Sequence, residues 1–461
     1  MKEVLEQLIY QSEINSSSHP EFDEDDINCL KPEANPNVEA ANEYDWPIKV
    51  FYRLMRISQE LGHNNVIDAG SSVEVDPADE ALIRQVIELS HQESLRANYY
   101  QQYPSSWGLT ALRQATADLY YHWAGIKLIP EFNIMVTGGI IKAVDSAIQS
   151  PKFTHVIIPD LAPYFARSLA ILRGKGVIEV PLDLSTGNFD LQVLDQRLNQ
   201  AQVAPLQALM YLTLPSSPAG TLPQEEFIEH QLIPFALDRQ LFIISDSYIF
   251  ATTHSGQPIR PLLSYPKAKR VAVEAIGVAK ELGLPGIRVG AAAGNPELIN
   301  LMRKYAATAL DMIPTPNQQI AVNALSLIKP ELIGRRLTQE LHCEILPKFA
   351  SLHWPVIVPH AGLDMLVEIP PAFRQVDTPD RSLLASLQFL GQYGIALCPA
   401  SVFGTKGENY LRVVFKQKSG KVPQALNRLI QAGFDWRTYA PDPTLISGLN
   451  QLTSNLDLSR L

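Results

Sequence analysis

Short apolar runs alternating with amphipathic helices predict an α/β protein: a large domain with a mostly parallel sheet, followed by a smaller α+β domain. Three observations carry this. From about residue 134 the runs NIMVT, HVIIP, VIEV, QALMYLTL and LFIIS are each strand-like and are mostly followed by a helix-period stretch. Polar residues gather at the carboxyl ends of these runs, where ligands collect in a parallel sheet. After about residue 330 the texture changes to LDMLVEI, IALCPA and YLRVVF set among helices. The 461 residues also exceed the size at which one core usually stops growing.

The expected organisation follows the chain. Residues 1–45 hold 12 acidic and 2 basic residues, which accounts for the whole net charge of −10. They read as an acidic extension, either disordered until contact or packed as an arm on a partner subunit. Residues 46–75 and 331–439 are assigned to the small domain, 76–330 to the large one, and 440–461 to a polar tail. A helix is expected over 47–61. Asp76-Pro77 then starts another, with Leu82, Val86 and Leu89, flanked by Ile83 and Ile87, as its apolar stripe. A third follows Gly108 and closes at Gly125. Helices are expected around 140–149, from Pro163, and around 190–200, 224–238 and 331–350.

Composition excludes several classes. The body beyond residue 45 is neutral, with 36 residues of each sign, so nucleic acid is an unsuited partner. No apolar run is long enough to suggest a membrane span. Cys29, Cys343 and Cys398 lack metal-ligand spacing, so no metal site is expected. The first residues lack a basic start followed by an apolar core, and a cytoplasmic location is the expectation.

The stretch from Glu274 to Gly294, EAIGVAKELGLPGIRVGAAAG, carries the sharpest chemistry. A lysine desolvated in a pocket becomes a nucleophile for carbonyls, and Lys280 is the candidate. Arg288 offers a fork of donors suited to phosphate. The glycines let backbone approach a ligand closely. Thr137-Gly138-Gly139 opens a helix after a strand, and amides at a helix start suit an anion. Ser217-Pro218-Ala219-Gly220 and Asp246, with Tyr248 two residues on, fall at further strand ends. His254 reads as a loop histidine, and Trp107 as either a packing or a pocket aromatic.

Taken in order, Tyr103, Gly139, Pro218–Gly220, Asp246, Lys280, Arg288 and Arg412 resemble the class I/II aminotransferases of the fold-type I pyridoxal-phosphate enzymes. The resemblance covers about residues 46–435. The loop KELGLPGIRVG is also similar to that of the aminocyclopropane-carboxylate synthases. The resemblance implies a homodimer with pyridoxal 5'-phosphate between two domains. Lys280 would carry the cofactor as a Schiff base and shuttle the proton. Asp246 would pair with the pyridine nitrogen. Arg288 and the amides of Gly139 and Ile140 would grip the phosphate. Tyr103 would reach the phosphate across the dimer interface, and Arg412 would bind the substrate carboxylate.

The departures are as informative. Ser217 stands where the family has an asparagine that donates to the cofactor's phenolic oxygen. Tyr248 is two residues after Asp246 rather than three, which would turn it to the other face unless the backbone bulges. Gly277, Val278 and Ala279 supply no hydroxyl before Lys280, and Ile140 and Ile141 replace polar residues. Tyr164 and Phe165 are the candidates to stack on the cofactor, since Leu161 is not aromatic. The expected function is transfer of the amino group of a free α-amino acid to a 2-oxo acid. A lyase, cyclase or oxidase using the same cofactor is the first alternative. A non-catalytic relative serving as a binding or scaffold protein is the second.

Overall fold

Strand QALMYLTL is apolar throughout rather than alternating, as a strand covered on both faces must be. In the computed structural model it forms a central strand of a seven-stranded sheet. The structure describes residues 47–53, 55–56, 66–71, 80–248, 253–255, 259–277, 283–309, 312–327, 338–415 and 420–455, with backbone alone over 451–455. The acidic extension of residues 1–45 and the Asp76-Pro77 helix start lie outside them.

Thirteen strands are described, numbered here along the chain. β1 is Ile67–Asp68, β2 Ile134–Thr137, β3 His155–Asp160, β4 Gly176–Pro181 and β5 Ala208–Thr213. β6 is Phe242–Ser247, β7 Ala272–Ile276 and β8 Gly290–Gly294. β9 is Val356–Ile357, β10 Asp364–Glu368, β11 Ile395–Ala396, β12 Cys398–Pro399 and β13 Tyr410–Val414. The large sheet runs β2-β8-β7-β6-β5-β3-β4. Strands β3 to β7 pair in parallel, and β8 runs antiparallel to both its neighbours. The mostly parallel sheet expected from the sequence is therefore present.

Helices cover both faces of this sheet. On one face Ile140–Ile148 packs on β5, β6 and β7, and Pro296–Thr308 on β2 and β8 beside it, burying Val144, Ile148, Leu298 and Met302. On the other, Thr110–Ala124, Leu191–Gln200 and the helical run from Glu225 to Asp238 bury Tyr120, Leu194, Phe227 and Ile233. Gly125 ends the first of these in the left-handed region (φ 66), with its N–H turned back to Tyr120 and Tyr121. Asp190 caps the second by accepting from Gln192 and Val193.

A four-stranded sheet, β12-β13-β10-β9, and the β1–β11 pair form the other half of the structure. Trp354 stacks on Phe389 with centroids 5.1 Å apart and packs with Phe349 and Phe434. IALCPA is not one strand: it divides into β11 and β12, which serve two different sheets.

Two expectations change. On the helix Glu80–Arg96 the buried face is Val86, Ser90 and Ser94, while Ile87 and Leu89 are exposed. The small residues allow close approach of the helix Thr315–Leu327, so packing follows the i, i+4 row through Val86 and not the greasiest stripe. Beyond Ala440 the chain is not a featureless polar tail. Pro443–Asn455 is a helix that buries Leu445 and Leu449. Gln388 clamps its approach, donating to the Ala440 carbonyl and accepting from the Asp442 N–H.

Leu449→Ala is expected to cost about 2–5 kcal/mol of stability, as for other fully buried leucines. Chemical denaturation measures it, and a loss below about 1 kcal/mol contradicts the packed position.

Candidate active site

β5 and β6 run side by side and end together, and both contribute to the site. Asp246 lies at the end of β6, 4% exposed. Tyr211, on the same face of β5, donates its hydroxyl to Asp246 Oδ2 at 3.0 Å. Burial and then the Asp246 charge hold the Tyr211 hydroxyl well above the usual tyrosine range, so it remains a donor. The carboxylate is thus fixed from behind by a group that keeps its proton.

Above the sheet lies a cavity of about 230 Å³. It brings together most of the residues singled out from the sequence: Gly139, Ile140, Tyr164, Ser217, Asp246, Tyr248, Arg288 and Arg412. Phe165 also lines it and packs edge-to-face on Tyr211, with centroids 5.9 Å apart. Gly277 lines it too, three positions ahead of Lys280, which lies outside the described residues. Tyr103 is not among the lining residues and is 94% exposed. Trp107 stands outside the cavity, with the Arg303 guanidinium over its ring.

One end of the cavity is positively polarised. Gly139 (φ 90) precedes the helix Ile140–Ile148, whose start has no side-chain cap. Its leading amides therefore face outward without a side-chain acceptor. Arg288 arrives from the turn before β8, in a left-handed conformation (φ 53). A Cβ on Gly139 would stand 3.4 Å from Arg288 Nη2. At Gly290 a Cβ would stand 2.8 Å from the Ile276 carbonyl and 3.0 Å from Gly139 Cα. Only glycine there lets β8 come close enough to set the guanidinium over the helix start. Two positive groups held together in this way suit a phosphate.

The departures noted in the sequence have physical partners. A Cβ on Gly277 would stand 2.9 Å from Ile140 Cδ1. The missing hydroxyl before Lys280 and the missing polar residue after Gly139 therefore form one apolar contact. Ser217 donates its hydroxyl to Asp364 Oδ2 at 2.9 Å. Its proton is turned away from the cavity. Tyr248 lines the cavity despite its shortened spacing. A Cβ on Gly362 (φ 91) would stand 2.7 Å from Tyr248 Oη, so that glycine makes room for the phenol. Burial, then Asp364 and Asp246, raise the Tyr248 pKa well above the usual range.

Arg412 lies on β13 at the opposite wall, 7% exposed. Its Nη2 donates to the Gly70 carbonyl at 2.8 Å, and its guanidinium stands over Phe403. Tyr52 shares this wall, its hydroxyl pushed up to about 12 chiefly by burial. Tyr52, Tyr211, Phe403 and Asp364 were not legible as site residues. Asp364 alone left a signal, being a charge inside the apolar strand LDMLVEI. Among the described residues, no group of histidines, cysteines and carboxylates is placed to hold a metal. None of the described helices is long and apolar enough to cross a membrane.

Comparison with known proteins agrees with this geometry. The family model "Aminotransferase class I and II" matches residues 61–429. An LL-diaminopimelate aminotransferase from Moorella thermoacetica is 25% identical over 332 residues, covering 71% of this chain and 82% of the relative. A putative aminotransferase from Rhizobium meliloti is 23% identical over 389 residues, covering 83% and 92%. Among solved structures, the N-succinyldiaminopimelate aminotransferase from Mycobacterium tuberculosis superposes with a TM-score of 0.72 at 18% identity, covering 82% of this chain and 96% of that one. The chain belongs to the class I and II aminotransferases, of fold type I. It is a pyridoxal-phosphate-dependent enzyme that acts on an amino acid.

His254 supports the site from outside and is not a loose loop residue. It is 7% exposed, with Nε2 3.1 Å from the Gly362 carbonyl and Nδ1 3.2 Å from Thr338 Oγ1. Burial lowers its pKa from 6.5 to about 4. The folded state therefore keeps it neutral while the unfolded chain takes up a proton. Its contribution is complete above pH 6.5 and is lost as pH falls from 6.5 to about 4. Over that window the stability of the unaltered protein should fall by about 3 kcal/mol more than that of His254→Asn. An equal loss of unfolding free energy in the two proteins between pH 6.5 and 4, measured by chemical denaturation, would contradict this.

Proposed function

We propose that this cavity is where the amino group of a free α-amino acid is taken up and passed to a 2-oxo acid. The observation that carries the reading is the convergence of three unlike elements on one cavity. They are the Gly139–Arg288 cradle, the Tyr211-anchored Asp246 carboxylate, and the Arg412 guanidinium on the far wall. The residues fit pyridoxal 5'-phosphate: a positive cradle for its phosphate, and a buried carboxylate for its pyridine nitrogen.

When bound, the cofactor supplies an electron sink for the bond broken at the substrate Cα. The protein's part is to hold, orient and move protons. Arg288 and the amides of Gly139 and Ile140 hold the phosphate. Asp246 keeps the pyridine nitrogen protonated, and Tyr211 keeps Asp246 in place. Tyr164 and Phe165 would be the aromatic neighbours of the cofactor ring. Ser217 and Tyr248 would be the polar neighbours of its phenolic oxygen, with Ser217 offering lone pairs because its proton is given to Asp364. Arg412 holds the substrate carboxylate and thereby aims the Cα–H bond. Lys280 would hold the cofactor covalently, and its amine, once free, would serve to move the proton at the substrate Cα.

The same reading includes a homodimer in the cytoplasm, with Tyr103 reaching the neighbouring subunit's phosphate. The 94% exposure of Tyr103 and the exposed Tyr100 support a surface that a second copy covers. The free thiols of Cys343 and Cys398 suit a reducing compartment. A division into 76–330 and 46–75 with 331–439 is supported by the separate sheets on either side of the cavity.

Purified protein loaded with pyridoxal phosphate should show a visible absorption band that Lys280→Ala lacks. Arg288→Ala should weaken cofactor retention by about 1–3 kcal/mol in equilibrium dialysis. A colourless protein that takes up no cofactor, or an Arg288→Ala variant that binds it unchanged, contradicts the assignment.

A further inference from the structure

Asp364 is a buried carboxylate beside Arg412, with no role so far beyond accepting the Ser217 hydroxyl. It opens β10, is 4% exposed and does not itself line the cavity. β10 and β13 pair antiparallel with Leu366 opposite Arg412. Asp364, two residues before Leu366, therefore projects to the same face as Arg412, one diagonal position away. Its Oδ2 stands 3.8 Å from Arg412 Nη1 and accepts the Ser217 hydroxyl.

The guanidinium is already partly committed. One terminal nitrogen donates to the Gly70 carbonyl and the other faces Asp364. Nε is buried with no hydrogen-bond partner among the described residues. Tyr52 and Cys398 also face Arg412, and burial raises the pKa of both, so neither opposes the cation with a charge at neutral pH. Tyr248 faces Asp364 and is raised in the same way. The charge facing Arg412 from these neighbours is therefore that of Asp364. Both partners are nearly buried, where a charge pair is screened far less than at the surface.

We infer that Asp364 is a positioning and specificity-setting residue that holds Arg412 as a shared cation, so that a substrate carboxylate binds against a carboxylate already present. The inference rests on the reading of Arg412 as the carboxylate site. It makes the pocket modest in its preference for carboxylates over neutral groups of the same shape. Ser217 takes part by steadying Asp364 at the oxygen that faces Arg412.

The test uses the full chain loaded with pyridoxal phosphate and propionate as probe, with affinity read from the perturbation of the visible band. Asp364→Asn and Asp364→Ser should each tighten propionate about tenfold. Asp364→Glu, which keeps the charge, should stay close to the unaltered protein. Unchanged or weaker binding in the two neutral variants overturns the inference, because lost structure would only loosen the site. Arg412→Gln separates the two claims. Retained propionate affinity in Arg412→Gln sinks the Arg412 reading. Lost affinity there, with no tightening at Asp364, sinks the inference alone. Should the neutral variants fail to fold, the unaltered protein decides: propionate should outbind propionamide by less than about tenfold, and a larger preference overturns the inference.

Discussion

The close approach of β8 to the Gly139 turn is the contact on which the rest of the site depends. Gly290 lies against the Ile276 carbonyl and Gly139 Cα, with no room for a side chain. That contact brings a guanidinium and a helix start of the same polarity together and leaves their attraction to be satisfied by a bound anion. The antiparallel placement of β8 beside β2 and β7 makes it possible, because β8 begins where those strands end. Asp246 and Arg412 line the same cavity from strands of two different sheets.

The fold was legible in the sequence because its signals are strong and local. An unbroken run such as ALMYLT belongs in a covered parallel sheet, and the helix stop at Gly125 acts within one turn. The polar strand ends were legible for the same reason. Side-chain neighbours from distant segments were not. Tyr211 reads as one more core residue until β6 is placed beside β5. Asp364 and Arg412 are 48 positions apart and meet through a strand register that no local pattern states. The face of Glu80–Arg96 was misread because its partner helix selects small residues, and burial follows the partner.

The departures from the family pattern have structural counterparts when seen in pairs. Ile140 fills the space that a larger residue at 277 would need, so two losses of polarity are one packing choice. Ser217 is too short to replace an asparagine, and its proton goes to Asp364 instead. Tyr248 keeps its place on the cavity because Gly362 leaves room for its hydroxyl, and His254 holds the Gly362 carbonyl. These exchanges are confined to Ile140, Ser217, Tyr248 and Gly277, and the Gly139–Arg288 approach and the Tyr211–Asp246 hydrogen bond stand apart from them.

The most direct test of amino-group transfer is a half-reaction. Protein loaded with pyridoxal phosphate is mixed with an amino acid that perturbs its visible band, with no 2-oxo acid present. Transfer predicts loss of the band and release of about one equivalent of 2-oxo acid per protomer, with the band restored by adding a 2-oxo acid. Continuous release of ammonia without any added 2-oxo acid would contradict the account.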